Sequence, residues 1–393
     1  MLYPVLFPDK IIRRAAKEIG NNAVSNRYSE APDRLAKTAN IKEFYDVFKN
    51  HNLPRNEFNG HRELITGGDI FYLGDATQLD NNVDLDKVNI HLALSGAGIK
   101  FFAFLALVNT LYEHNIPITN IAGTSGGALA GLLIKMGCDF DVVKEVFNAK
   151  LLRALMWDLN FKEFFFPPLK GDKIMMFIDE ILDQKYGNKT MEDIPGLYIM
   201  ATLMNSMRDD EVSSFEKIVL SSEYSPRFKI YEALYASMSL PIFENLRCPH
   251  GETFQAIREG DGIVSLYPVQ ATERGALFDG GYMYNYPLGI LLANMMPNDI
   301  VIDLCTAFPG HREIDLHAWW NRIRNALSMQ TNIATRGQMD TTMMRSLPFN
   351  TIHCQIGRGI WDIGLTDFEK LPLAWEAGKS AALDFLRAFG IIQ

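Results

Sequence analysis

The sequence predicts an α/β domain: a mostly parallel sheet covered by helices on both faces, a three-layer α/β/α sandwich. Three observations carry this. From Val88 onward, short apolar runs alternate with stretches of helical period, the grammar of strands joined by crossover helices. Two of those runs stop at glycine turns that lead straight into helices, Gly96-Ala97-Gly98 and Gly123-Thr124-Ser125-Gly126-Gly127. The composition is that of a globular chain, with 48% hydrophobic and 22% charged residues over 393 positions.

The elements follow in order. Residues 88–95 (VNIHLALS) and 118–122 read as buried strands, and the segments after their glycine turns, 99–114 and 128–136, read as helices. Further strands are expected at 197–203, 276–278, 300–304 and 351–355. Further helices are expected at 174–182, 230–237, 288–295, 316–343 and 368–389. Residues 1–85 differ: they are polar and interrupted by N-L-P, N-G and G-G breakers, with short helices at 9–19 and 41–48 and a strand near 69–73. They read as an N-terminal extension, packing or regulatory, ahead of a main domain over 86–393.

Charge and cysteine usage narrow the function classes. Lys+Arg 38 against Asp+Glu 47 leaves −9, without a basic run, which argues against nucleic-acid binding. Cys138, Cys248, Cys305 and Cys354 lie far apart with no C-x-x-C, the pattern of reduced buried thiols in a cytoplasmic protein. No apolar run reaches the roughly 18 residues of a membrane span. The N-terminus lacks the basic head of a secretory signal.

In parallel sheets, sites gather at the carboxyl ends of strands, where both glycine turns are placed. Gly123-x-Ser125-x-Gly127 between strand and helix is the arrangement that holds a nucleophilic hydroxyl out on a tight turn at a helix N-terminus. Without chemistry, the same serine would merely cap the helix. Gly96-Ala97-Gly98 fails as a dinucleotide fingerprint, because Phe101 stands at its third glycine position and no acidic residue follows at the right distance. It retains a run of N–H groups at a helix start, an anion nest that would serve an acyl-enzyme serine as an oxyanion hole. Lys100 adds positive charge there for a phosphate or the developing oxyanion. Asp279-Gly280-Gly281 folds a carboxylate back over a strand end, where it can act as general base for a serine without an intervening histidine. The alternative is an aspartate that only shapes the turn. Asp261-Gly262 reads as a hairpin tip without chemistry.

Together L-S-G-A-G-I-K (residues 94–100), G-T-S-G-G (123–127), A-S-M-S-L-P-I-F (236–243) and D-G-G-Y-M-Y-N-Y-P (279–287) resemble the patatin-like phospholipase family in order and spacing. The stretch E-A-G-K-S-A-A-L-D-F-L near the C-terminus resembles the family's last helix. The resemblance implies a lipid acyl hydrolase that cleaves carboxylic esters of glycerophospholipids or lysophospholipids with a Ser–Asp dyad and no metal or other cofactor. Ser125 would be the nucleophile, Asp279 the base, and the amides of Gly96, Ala97 and Gly98 the oxyanion hole. Gly123, Gly127, Gly280 and Gly281 would support the turns. Two departures stand out: Ala97 replaces a family glycine, and Phe101 puts a ring where the family has none, which would narrow the pocket or alter helix packing. The stretch between Pro241 and Asp279 is longer than is usual in the family, so residues 245–275 read as an inserted flap.

A Ser-His-Asp triad is the competing chemistry and would draw Asp303 or Asp279 with His311 or His353. No histidine sits in a glycine-flanked loop like that of Asp279, so the dyad is preferred. A nucleotide-binding module on Gly96–Gly98 is the remaining alternative. Residues 151–169, with Trp157, Phe161 and Phe164–Phe166 beside Arg153 and Lys162, are a candidate bilayer-facing segment; packing as core is the competing reading. The expected setting is cytoplasmic and peripheral at membranes when active. An activating protein or small-molecule signal is expected as a partner beside membrane phospholipid. A bacterial effector delivered into another cell without an N-terminal signal also fits.

Overall fold

The computed structural model describes residues 8–23, 34–49, 70–72, 84–156, 170–205, 214–240, 244–260, 263–296, 298–306, 350–356, 360, 363 and 367–393. Among the described residues eleven strands form one sheet: β1 (Ile70–Tyr72), β2 (Ile90–Leu94), β3 (Asn120–Thr124), β4 (Leu197–Asn205), β5 (Ser214–Leu220), β6 (Leu246–Arg247), β7 (Thr253–Gly260), β8 (Ile263–Gln270), β9 (Ala276–Asp279), β10 (Ile300–Cys305) and β11 (Asn350–Gln355). The order is β1-β11-β10-β2-β3-β4-β5-β7-β8, with β9 also on β4 and β6 on β9. The centre, from β11 to β4, is parallel. The pairings outside it are antiparallel.

The parallel centre explains the continuous apolar runs. All five residues of β2 are buried because both faces are covered. Leu92, Leu94, Ile121 and Ile199 face one core. That core is closed by α3 (Phe101–Glu113), α4 (Gly126–Lys135), α8 (Ile230–Met238) and α10 (Leu371–Ala388). Ala93, Ala122, Tyr198 and Met200 face the other, where Leu288, Ile290 and Leu291 of α9 (Leu288–Asn294) pack. His91 on β2 is buried polar, and its ring bonds the Asp299 carboxylate at 3.0 Å. The expected helix over 316–343 lies outside the described residues.

The N-terminal segment is woven into the body. Helix α1 (Pro8–Asn22) buries Ile12, Ala16 and Ile19 against α5 (Phe140–Val146), α6 (Ala149–Met156) and α7 (Asp172–Asp183). In α2 (Arg34–Lys49), Phe44 packs its ring on Phe385 and Phe389 at centroid distances of 5.6 and 4.5 Å. β1 extends the sheet beyond β11.

Two expectations need correction. Residues 245–275 are not a flap: they supply β6, β7 and β8, and β7 pairs with both β5 and β8. The extra length is sheet, and strands such as TFQAIREG mix polar with apolar residues because one face of an antiparallel edge is open to water. The hairpin closes with Gly260 opposite Ile263, and Asp261-Gly262 between them lies outside the described residues. Phe101 does not narrow a pocket; it is buried edge-on against Phe102 and Phe147 in the helical core.

All four cysteines are buried and carry no disulfide. Burial pushes the Cys138 and Cys248 thiols up to about 12, so they stay protonated and inert. Among the described residues no helix is long and apolar enough to cross a membrane. Of the aromatic segment 151–169, α6 covers the start, and its Leu151, Leu152, Ala154 and Leu155 belong to the core. Trp157, Phe161 and Phe164–Phe166 lie outside the described residues.

Candidate active site

Two strands meet end to end on β4. The end of β3 pairs Thr124 with Met200, and the end of β9 pairs Asp279 with the next residue, Ala201. β3 runs parallel to β4 and β9 antiparallel, so their last residues converge at one point. The residue after Thr124 is Ser125. Its hydroxyl donates to Asp279 Oδ2 at 2.8 Å, across 154 residues of chain.

Ser125 takes φ +53° and ψ −122°, a backbone conformation that side chains other than glycine rarely adopt. Such strain persists only where its surroundings over-determine it. Here the Ser125 N–H donates to Ser237 Oγ at 2.9 Å, and the Ser237 hydroxyl donates to the Met200 carbonyl at 2.6 Å. Beyond the turn, Ala128 and Leu129 N–H groups donate to the Ser125 carbonyl and open α4. The serine therefore stands at the positive end of a helix dipole.

Close backbone approach explains the glycines. A Cβ on Gly126 would lie 2.3 Å from the Gly98 carbonyl oxygen, so the serine turn and the Gly96–Gly98 loop touch backbone to backbone. Gly123, Gly127 and Gly280 are hemmed in by main chain in the same way. Gly126→Ala should cost about 1–3 kcal/mol of stability by overpacking and lower kcat at least tenfold, read by denaturant unfolding beside an esterase assay.

Asp279 is 2% exposed. Its N–H donates to the Ser239 carbonyl at 3.0 Å and its carbonyl accepts from Thr202 Oγ1 at 3.1 Å. Oδ1 accepts the Gly281 N–H at 2.7 Å, so the D-G-G turn fixes the carboxylate in place. Burial raises its pKa to about 7, although the Gly281 N–H and the Ser125 hydroxyl both favour the anion. A carboxylate balanced near neutrality can take a proton and return it.

The Gly96–Gly98 loop is more selective than expected. The Gly96 N–H donates to the Asn285 carbonyl at 3.1 Å, and the Asn285 Oδ1 fills the space where a Gly96 Cβ would stand. Among the described residues the Ala97 and Gly98 N–H groups carry no such backbone bond. Ala97 sits at φ −130°, so its methyl is accommodated, and Gly98 at φ +53° makes the turn beside Gly126. Lys100 Nζ donates to the Thr306 carbonyl at 3.3 Å, at the end of β10.

Asp303 and His353 do not assemble with the serine. Asp303 on β10 faces His353 on β11, and the two bond each other in the buried core with Tyr286. Three strand spacings separate β11 from β3, about 14 Å. His311 lies outside the described residues. The other triad acid, Asp279, bonds Ser125 directly, with no imidazole between them.

A sequence model of the family described as patatin-like phospholipase matches residues 92–292, which is just over half of the chain. The chain belongs to the patatin-like phospholipase family. It is therefore a hydrolase of lipid esters. Among solved structures, this patatin-like chain is similar to VipD from Legionella pneumophila (TM-score 0.36, 11% identity, covering 84% of this chain and 72% of that one). It is also similar to human GIVD cytosolic phospholipase A2 (TM-score 0.39, 11% identity, 91% and 64%). A third is ExoU of the Pseudomonas aeruginosa type III secretion system, crystallised with SpcU (TM-score 0.28, 10% identity, 68% and 54%). The chain thus spans less than two thirds of the human and Pseudomonas proteins.

Three residues of the site carry no assignable signal in the sequence. Ser237 and Ser239 lie in the quoted A-S-M-S stretch, yet nothing in it assigns them a role. Their spacing at the end of α8 places one beneath Ser125 and the other beneath Asp279. Asn285 likewise sat inside a quoted motif with no assigned partner.

Proposed function

We propose that this patatin-like protein cleaves the carboxylic ester of a glycerophospholipid or lysophospholipid with a Ser125–Asp279 dyad. The observation that carries the proposal is the 2.8 Å hydrogen bond from a strained, half-buried serine to a buried carboxylate near neutral pKa. Asp279 takes the hydroxyl proton while Ser125 Oγ attacks the acyl carbonyl carbon. The oxyanion that forms accepts the Ala97 and Gly98 N–H groups, aided by the α4 dipole. Collapse expels the alkoxide of the lysolipid or glycerol product, which takes the proton from Asp279. Water then attacks the acyl-enzyme, Asp279 again accepts a proton, and fatty acid leaves as Ser125 Oγ is reprotonated.

Residues 1–85 are proposed as an extension to a catalytic domain over 86–393. It would keep the protein inactive until a protein or small-molecule signal arrives. Such restraint suits a phospholipase made in the cytoplasm, where its host's own membranes are substrate, and suits an effector delivered into another cell. Because the net charge is −9, anionic bilayers do not attract the chain as a whole, and docking falls to local patches such as the aromatic segment 157–169.

The test is product mass spectrometry of phosphatidylcholine and phosphatidylglycerol vesicles incubated with the purified chain, with and without cell extract. Free fatty acid with lysolipid or glycerophosphodiester, rising when extract is added, is the expected result. Intact lipid under both conditions, with no fluorophosphonate adduct on Ser125, would sink the enzymatic reading. Full activity without extract would sink the activation alone.

A further inference from the structure

The segment after the D-G-G turn crosses the carboxyl ends of the central strands and touches both halves of the site. The Tyr284 carbonyl accepts from Thr124 Oγ1 at 2.8 Å, one residue before Ser125. The next carbonyl, Asn285, accepts the Gly96 N–H at 3.1 Å. Tyr284 and Tyr286 in this segment reach in opposite directions to carboxylates. Tyr284 donates to Glu259 on β7 at 2.8 Å, and Tyr286 donates to Asp303 on β10. Asp303 is held from behind by His353 Nδ1 on β11, which also lies 3.4 Å from the Tyr286 hydroxyl. Asp303 and His353 are 0% exposed, and both tyrosines are buried.

A buried carboxylate–histidine pair is a poor source of stability, because desolvation offsets most of its attraction and an apolar pair of equal volume often does as well. Its other use is to impose one geometry. We propose that Tyr286, Asp303 and His353 are positioning residues for ester hydrolysis. They pin the 284–286 segment so that the Asn285 carbonyl holds Gly96, and Gly96 in turn aims the Ala97 and Gly98 N–H groups at the oxyanion. Tyr284 and Glu259 are the matching pin on the far side. The chain of contacts is unbroken from β11 to the loop: His353, Asp303, Tyr286, Asn285, Gly96. Holding the Gly96 N–H inside the protein costs one donor, and it leaves the Ala97 and Gly98 N–H groups on a loop packed backbone to backbone against Gly126. Preorganised donors stabilise a transition state without rearranging as charge develops, so a loosened loop lowers turnover more than binding.

The proposal rests on the Ser125–Asp279 reading, and the experiment separates the two. Tyr286→Phe keeps the ring in the core and removes only the hydroxyl. It should lower kcat about tenfold with KM within twofold of wild type. The pH midpoint of fluorophosphonate labelling, set by Asp279, should not move while its plateau falls in step with kcat. Asp303→Asn keeps an acceptor for the tyrosine hydroxyl and should stay within threefold of wild-type kcat. If Tyr286→Phe fails to fold, Tyr284→Phe carries the same expectation from the opposite pin. Wild-type kcat in Tyr286→Phe would overturn the proposal, as would a loss expressed wholly in KM or in a displaced pH midpoint. A Ser125→Ala control completes the set. Activity in that variant would overturn the dyad itself, whereas an inactive Ser125→Ala beside a fully active Tyr286→Phe would overturn only the positioning role.

Discussion

Ser125→Ala should lose ester hydrolysis by about 10⁴-fold or more, with unfolding by denaturant changed by less than about 1 kcal/mol. The hydroxyl stands on the strained turn beside the Ala97–Gly98 amides, and two neighbouring serines are committed elsewhere: Ser237 is bonded to Met200 and Ser125, and Ser239 lies behind Asp279. Removing the oxygen leaves the oxyanion donors, the α4 dipole and the base, which can still polarise an ester and activate water weakly. That residual explains why the expected loss is large but finite. The alanine has no more difficulty than serine at φ +53°, so the fold should survive. Phospholipid product formation and fluorophosphonate labelling, measured on protein whose unfolding midpoint has been checked, decide the matter. Substantial turnover in the variant would move the nucleophile elsewhere.

Asp279→Asn should combine a loss of activity of at least about 10³-fold with a gain in stability at neutral and alkaline pH. The sign follows from the raised pKa. Burial lifts the Asp279 carboxyl from 3.8 to about 7, so between those values the folded chain keeps a proton that the unfolded chain has released. The protein is therefore most favoured, so far as this group is concerned, below 3.8, and loses that contribution as pH rises through about 7. About three pH units at 1.4 kcal/mol each set an upper scale of about 4 kcal/mol. Asparagine does not titrate and carries none of this penalty. The difference in unfolding free energy between Asp279→Asn and wild type should be small at pH 4 and grow to a few kcal/mol by pH 8. Wild-type acylation should rise with pH through about 7, as the base becomes anionic. A stability difference that does not depend on pH would contradict the buried-carboxylate account. An active asparagine variant would return attention to histidine.

Both expectations concern groups whose types were readable in the linear chain. A serine between glycines at a strand-to-helix turn and an aspartate before two glycines at another strand end are local patterns, because a tight turn demands particular residues at particular offsets. The parallel strands were equally legible, since burial on both faces writes a continuous apolar run, as in IHLAL of β2. The antiparallel side was not. β5 and β7 carry Glu216, Lys217, Arg258 and Glu259 among their apolar residues, and no continuous apolar run marks them as strands until their partners are known.

What the chain order by itself determined is the kind of site and its two principal groups. The tertiary structure alone decided that those groups meet. Ser125 and Asp279 come together because β3 and β9, from distant parts of the chain, end on adjacent residues of β4, Met200 and Ala201. It also decided which loop amides remain to receive an oxyanion, through the Asn285 carbonyl that claims Gly96. The physical reason is the same in both cases. Turn chemistry is set by neighbours in sequence, whereas strand register and the satisfaction of buried donors are set by partners far away along the chain.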